Sequence, residues 1–253
     1  MAYTKRFDGR KFDETREIRA EIGIIPRADG SALFAFGDTI AIAAVYGPRT
    51  LHPQHLQDPE RGVLRVVYDM MSFSVPDRKR PGPSRRSQEI SKITQWALAP
   101  AVEIGEFQGT VVDVHITIIQ ANASTRCAGI NAAALALAHA GVPMNDLISS
   151  VSIGKIDNQI VVDVSKEEED YSEGEGSTDI AMSFKSSSGR LTHLQLDGKI
   201  RGKELIEAIE TGKKACKKIY EVQKKALKEI SKEGKENEKE NKGNFKFDEK
   251  KNN

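Results

Sequence analysis

The chain has 253 residues, 38% of them hydrophobic and 30% charged, which suffices for one or two α/β units with a real core. Its 38 Lys and Arg against 37 Asp and Glu give a formal net charge of +1, so any surface for nucleic acid must be local rather than global. The two cysteines, Cys127 and Cys216, lack the spacing of a metal knuckle and are too few for a disulfide framework, so they read as reduced thiols; with no signal peptide and no apolar run long enough to span a bilayer, the expected compartment is the cytoplasm.

In chain order, a basic arm at residues 5–11 comes first. Strands are predicted at about 18–25, 32–36 and 39–46, with Gly37-Asp38 turning the last pair. Another follows at 63–69, with Arg65 on the face opposite its apolar neighbours. A helix is expected from Ser84 to about Glu106, capped by Ser84 with Ser87 or Gln88 and striped by Ile90, Ile93, Trp96, Ala97 and Ala101. Then come an apolar strand at 111–119 and an Ala-rich helix at 128–140. The second half offers strands at 150–153, 160–164, 180–184 and 191–196, and a helix from about Lys203 to Glu229. Alternation of this kind predicts a layered α/β (α+β) domain over 1–230. Residues 231–253 are mostly Lys, Glu, Asn and Gly. They bury too little apolar surface to offset the entropy of ordering, so a disordered charged tail is expected.

The segment from Asn122 to Gly129, NASTRCAG, carries the most chemical information. It joins a β-type run to a helix through small and hydroxyl residues. Free N–H groups at that helix start, with the helix dipole behind them, suit an oxyanion. Ser124, Thr125, Arg126 and Cys127 are therefore the candidate phosphate site, with Arg126 supplying a permanently charged fork. An ordinary N-cap beside a solvated arginine would use the same residue types, so the company of this motif matters. Upstream, Arg85 and Arg86 stand in the first turn of the Ser84 helix, against the helix dipole, which invites a bound anion. Downstream, an acidic run from Glu167 to Asp179 leads into an apolar strand. A carboxylate fixed at that strand, Asp179, can hold Mg²⁺ or donate a proton. Arg61 and Arg65, and the charged stretch from Asp77 to Arg80, can form a backbone-reading RNA track. The five histidines show no metal spacing, and His115 and His193 read as structural.

These stretches resemble the RNase PH family of phosphorolytic 3′-to-5′ exoribonucleases, and within it the catalytic subunits of archaeal exosomes. The resemblance rests on the order and spacing of RFDGR (6–10), ADGSA (28–32), IAAVYGPR (42–49), VLRV (63–66), PSRR (83–86), STRCAG (124–129) and AGVPM (140–144). It implies a ribosomal-protein-S5-domain-2-like fold with mixed sheets and packed helices. It also implies inorganic phosphate as co-substrate, bound by Arg86 and the Ser124–Cys127 loop, and single-stranded RNA held by Arg61, Arg65, Arg85 and Arg86. The partners it implies are a non-catalytic RNase PH-like subunit, alternating in a hexameric ring, and RNA-binding cap subunits. Asp179 matches the second of two family aspartates and Asp170 best matches the first, so the pair is the expected catalytic and Mg²⁺ site. The loop between them is longer than usual, and Glu173 or Glu175 are alternatives for the first. A non-catalytic ring subunit, a stand-alone tRNA-trimming enzyme and a small-molecule kinase are the competing readings. Having both Arg126 and Asp179 argues against the first, PGPS at 81–84 in place of a Gly-rich stretch against the second, and the lack of a Gly-rich nucleotide loop against the third.

Overall fold

Period-two alternation of apolar residues builds two sheets in the computed structural model, which describes residues 3–77, 79–105 and 107–248, the side chains of 231–248 excepted. The first sheet holds β1 (Ile18–Ile22), β2 (Gly30–Phe36), β3 (Thr39–Thr50), β4 (Val63–Met70) and β5 (Thr110–Gln120), in the order β1-β2-β3-β5-β4. Its pairs are antiparallel except β4 with β5, which run parallel. Between those two in sequence lies α1 (Arg85–Leu98), as a parallel crossover demands. The second sheet holds β6 (Ile148–Ile156), β7 (Gln159–Val162), β8 (Ser177–Lys185) and β9 (Leu191–Asp197), ordered β7-β6-β8-β9 and antiparallel throughout.

The helices lie between the sheets. Each of α1, α2 (Thr125–His139) and α4 (Gly202–Asp248) contacts strands of both. Residues Cys127 to Leu137 of α2 are all buried, which is why its sequence is apolar all round rather than striped. Gly30 marks how close β2 comes to it: a Cβ there would stand 2.3 Å from the Ala136 carbonyl oxygen. One apolar core therefore runs from Phe34 and Ile118 of the first sheet, through Ile130 and Leu135, to Ile153 and Phe184 of the second. Mixed layers of sheet and helix match the fold expected.

Several boundaries differ from the sequence reading. Helix α1 stops at Leu98 rather than near Glu106, because Pro100 cannot continue it. Strand β6 is longer than expected, since Ser149, Ser150 and Ser152 interrupt its apolar pattern yet are buried. Each finds a partner: Ser149 Oγ donates to Gln223 Oε1 of α4 at 2.8 Å, Ser150 Oγ donates to the Met182 carbonyl at 2.8 Å while Asn131 Nδ2 of α2 donates to the Ser150 carbonyl at 2.8 Å, and Ser152 Oγ meets Ser124 Oγ at 2.6 Å. An unforeseen helical turn, α3 (Lys166–Glu169), begins the acidic run. Helix α4 continues to Asp248, past the expected end near Glu229 and over most of the stretch expected to be a tail; the side chains past Ile230, residues 249–253 and Arg78 lie outside the described residues. No helix among the described residues is long and apolar enough to cross a membrane.

Candidate active site

The carboxyl ends of β4 and β5, the starts of α1 and α2, and the facing residues of α3 and β8 enclose a cleft of about 540 Å³. Among the described residues, five cationic side chains line it: Lys79, Arg80, Arg86, Arg126 and Lys166. Three carboxylates, Asp77, Glu169 and Asp179, oppose them. An almost neutral chain thus carries a local cationic pocket, suited to anions.

The junction before α2 is built under strain. Ala123 and Ser124 take left-handed backbone angles, φ +53° and +54°. Non-glycine residues hold that conformation only when their surroundings enforce it, and such positions gather at functional sites. Here Thr39 Oγ1 donates to the carbonyls of Asn122 and Ala123, each at 2.9 Å, and Arg16 Nη1 donates to the Asn122 carbonyl at 2.6 Å. The Ser124 hydroxyl meets Ser152 Oγ at 2.6 Å and Asp163 Oδ1 at 3.0 Å. Asp163 is itself buried and clamped by Arg16 Nη2 at 2.6 Å.

This corrects two expectations. The Ser124 side chain does not cap α2 and is already engaged behind the loop, so it offers no hydroxyl to phosphate. The Cys127 side chain is fully buried and its thiol is pushed up to about 12 by burial, so it is a packing residue whose backbone N–H alone could serve an anion. What the helix start presents is Thr125, Arg126 and uncapped N–H groups.

Arg126 Nη1 donates to Gln195 Oε1 on β9. His193, on the same strand, is kept neutral: burial, and then the Arg126 charge, lower its pKa to about 4. Asp179 faces the opposite pressure. Burial pushes its carboxyl up to about 6 despite the nearby Arg126, and Glu169 and Asp197 push the same way. Its Oδ1 is buried with no hydrogen-bond partner among the described residues.

Asp170 does not join it. The Ser165 N–H donates to Glu168 Oε2 at 3.0 Å, closing a capping box that winds residues 166–169 into α3. Asp170 falls at the C-terminal end of that turn, exposed, with Lys166 Nζ at 2.7 Å. Glu169 lines the cleft instead, and its carbonyl accepts from Ser177 Oγ at 2.5 Å, at the start of the strand that carries Asp179. The capping pattern Ser165-x-x-Glu168 was the signal that could have identified Glu169. Glu175 is drawn off to Lys155 Nζ at 2.5 Å; neither it nor Glu173 lines the cleft.

The turn is anchored from the far end of the chain. Arg6, in the arm read as a basic extension, is buried and grips Glu168 with two bonds, Nε to Oε1 at 2.7 Å and Nη2 to Oε2 at 2.8 Å. Tyr3 Oη adds a third, to Oε1 at 2.8 Å. Burial alone would raise the Glu168 pKa, but these bonds and that from Ser165 N–H hold it below its ordinary value.

Of the predicted RNA contacts, Arg86 lines the cleft and Arg85 stands beside it in the first turn of α1, exposed. Arg65 projects from β4, five residues before Met70 at the cleft's edge, about 16 Å along the strand. It shares the buried Asp113 with Arg49: Arg65 Nη2 and Arg49 Nη2 each lie 2.8 Å from Oδ2. Arg61 does not fall on that line. It pairs with Asp58 at 2.9 Å in a separate groove beside Trp96.

Oxygen donors of the Asp179 and Glu169 kind suit Mg²⁺, which takes one or two carboxylates and completes its shell with substrate phosphates and water. Among the described residues no group of three or more His, Cys, Asp or Glu could hold a metal alone. The unpartnered Oδ1 of Asp179 is consistent with a metal shared between protein and substrate.

Comparison with known proteins agrees with this geometry. Residues 14–143 match the model of the 3′ exoribonuclease family, domain 1, and residues 146–215 that of domain 2. The chain is 48% identical over 220 residues to exosome complex component Rrp41 of Thermococcus kodakarensis, covering 87% of each. It is 44% identical over 222 residues to that of Archaeoglobus fulgidus, covering 87% of this chain and 84% of the relative. Its structure resembles rice Rrp46, with a TM-score of 0.78 and 25% identity, over 88% of this chain and 100% of the other. It also resembles a chain of the Archaeoglobus fulgidus exosome with RNA bound to the active site, with a TM-score of 0.73 and 25% identity, over 86% and 92%. Matched in both halves, and nearly half identical to these relatives over most of its length, the chain belongs to the 3′ exoribonuclease family of RNase PH.

Proposed function

We infer that this chain is the catalytic subunit of an exosome ring and shortens RNA from its 3′ end by phosphorolysis. The observation that carries the reading is the meeting of Arg86, Arg126 and Asp179 in one cleft, in a chain so similar to exosome Rrp41 components. RNA and other RNase PH-like subunits are its partners. An uncovered face of the first sheet, with exposed Val67 and half-buried Leu33, Ile40 and Ile42, supports ring assembly. RNA-binding cap subunits and a cytoplasmic location complete the proposal, the latter supported by two free, buried thiols, Cys127 and Cys216.

Inorganic phosphate binds at the start of α2, where Thr125 and backbone N–H groups donate and Arg126 neutralises charge. Arg86 lowers repulsion between this phosphate and the last phosphodiester of the RNA. A phosphate oxygen attacks that phosphorus, the bond to the 3′ oxygen of the penultimate nucleotide breaks, and a nucleoside diphosphate leaves. Asp179, protonated more readily than an ordinary aspartate, gives its proton to the departing oxygen. Where Mg²⁺ is bound, an ionised Asp179 would instead hold it together with Glu169, and the ion would supply positive charge to the reacting phosphates. One phosphodiester bond is exchanged for one phosphoanhydride, so the reaction is near balance and runs backwards as RNA tailing.

A 5′-labelled RNA incubated with and without phosphate, and with and without the ring partner, tests this directly. Shortening should require phosphate and release nucleoside diphosphates. Nucleoside monophosphates in phosphate-free buffer would make the chain a hydrolase.

A further inference from the structure

Arg126 reaches the cleft from α2, but its guanidinium is seated by β9, at the edge of the second sheet. The contact is a single amide: Gln195 Oε1 accepts from Arg126 Nη1, while Gln195 Nε2 donates to Glu89 Oε1 at 2.9 Å. Glu89 stands one helical turn beyond Arg85 and Arg86 on α1. The bridge thus joins the helix bearing the RNA-contacting arginines to the arginine of the phosphate loop.

Chemistry fixes which way the amide faces. A carboxylate only accepts, so the NH₂ group of Gln195 turns to Glu89 and its oxygen turns to Arg126. Arg126 has five N–H donors in a rigid plane. Holding one of them sets the direction of the other four. Gln195 is paired in register with Ala181, which lines the cleft two residues past Asp179, so the amide is referenced to the strand that carries the acid.

We propose that Gln195 is a positioning residue for phosphate binding, holding the Arg126 fork toward the incoming anion, and that Glu89 acts through it by fixing the amide's orientation. This rests on the reading of Arg126 as the phosphate-binding arginine. Neither residue has been placed in contact with phosphate or RNA, and Gln195 is only half-buried on an edge strand, so its replacement should not unfold the protein.

The test uses the full chain assembled with its ring partner, initial rates against inorganic phosphate at saturating RNA, and RNA binding by anisotropy. Gln195→Met should raise the KM for phosphate about tenfold, the scale of one lost hydrogen bond to a charged group, with kcat and RNA affinity within about twofold. Glu89→Lys presents a donor where an acceptor stood, turns the amide round and should raise the phosphate KM similarly, whereas Glu89→Gln keeps an acceptor and should stay near the parent. The double variant Gln195→Met/Glu89→Lys should be no worse in phosphate KM than Gln195→Met alone, since both act through one amide. An unchanged phosphate KM in Gln195→Met, additive effects in the double variant, or an equal loss of RNA affinity would overturn the proposal. Arg126→Met separates the levels: if it cripples phosphate use while Gln195→Met does not, the bridge alone fails. If Arg126→Met leaves phosphate use intact, the phosphate site itself is misplaced.

Discussion

Asp179 is a carboxylic acid placed where ionisation is costly. Its folded pKa of about 6 lies above the ordinary 3.8. A group raised in this way contributes stability in full below 3.8 and loses it as pH rises through 6. Asp179→Asn should therefore be more stable than the parent above pH 6, by up to about 3 kcal/mol without ligands, with the advantage gone at pH 3.5. Denaturant melts across that range check it. The same variant should lose about 10²–10⁴-fold in turnover while binding RNA normally. As a proton donor, Asp179 also predicts a kcat/KM that falls as pH rises past about 6; a limb rising through that pH would make it a positioner of metal. Its companion should be Glu169, not Asp170. Glu169→Gln should slow phosphorolysis by tenfold or more, on the order expected for a residue assisting acid or metal. Asp170→Asn, at an exposed pair with Lys166, should change the rate by less than about twofold. The reverse ranking in initial-rate assays would return the site to Asp170.

At the scale of elements, a short helical turn holds its place because a distant arm grips it. Arg6 and Glu168 are both buried, and removing either leaves the other an uncompensated charge. Arg6→Met should cost about 3–5 kcal/mol, and Arg6→Met/Glu168→Leu should recover part of it by removing both charges. Denaturant midpoints at neutral pH measure both. Since the Glu168 pKa is depressed, the pair's contribution is present above 4.5 and is lost as pH falls below it, so the gap between parent and Arg6→Met should narrow in acid. A cost below about 1 kcal/mol would mean that α3 stands without the arm. The strained loop before α2 follows the same logic: Thr39, Arg16 and Asp163 come from separate segments and together hold two left-handed residues.

At the scale of the molecule, the proposed reading extends the RNA contacts beyond the cleft in which it places the chemistry. Arg65 lies on the open sheet face, about 16 Å from the cleft's edge, whereas Arg126 lies inside it. Arg65→Ala should weaken RNA binding similarly for unrelated sequences and flatten its salt dependence, leaving the phosphate KM nearly unchanged. Arg126→Ala should do the reverse. Anisotropy at several salt concentrations and phosphate titrations of the initial rate distinguish them. Equal losses of RNA affinity, with phosphate use untouched, would put Arg126 on the RNA track.

Much of this molecule was legible in its residues, because local signals there agree with the fold. Alternation marks the strands, Ser84 and Ser87 cap α1 as their spacing suggests, and Arg126 and Asp179 follow from a helix start and an apolar strand. What sequence could not resolve is what depends on partners far along the chain. The turn of α3 brings Glu169 rather than Asp170 to line the cleft with Asp179, because rotation about a helix axis decides which side chain enters it. Ser124 suits phosphate by residue type, but Ser152 and Asp163, 28 and 39 residues away, already engage its hydroxyl. Arg6 reads in sequence as part of a basic arm, yet Glu168 meets it from 162 residues on. Sequence determined which elements form and which residue types could bind phosphate and move a proton. Only the tertiary structure decided which of them face the same space, because a side chain already satisfied by a distant partner is no longer free for a ligand.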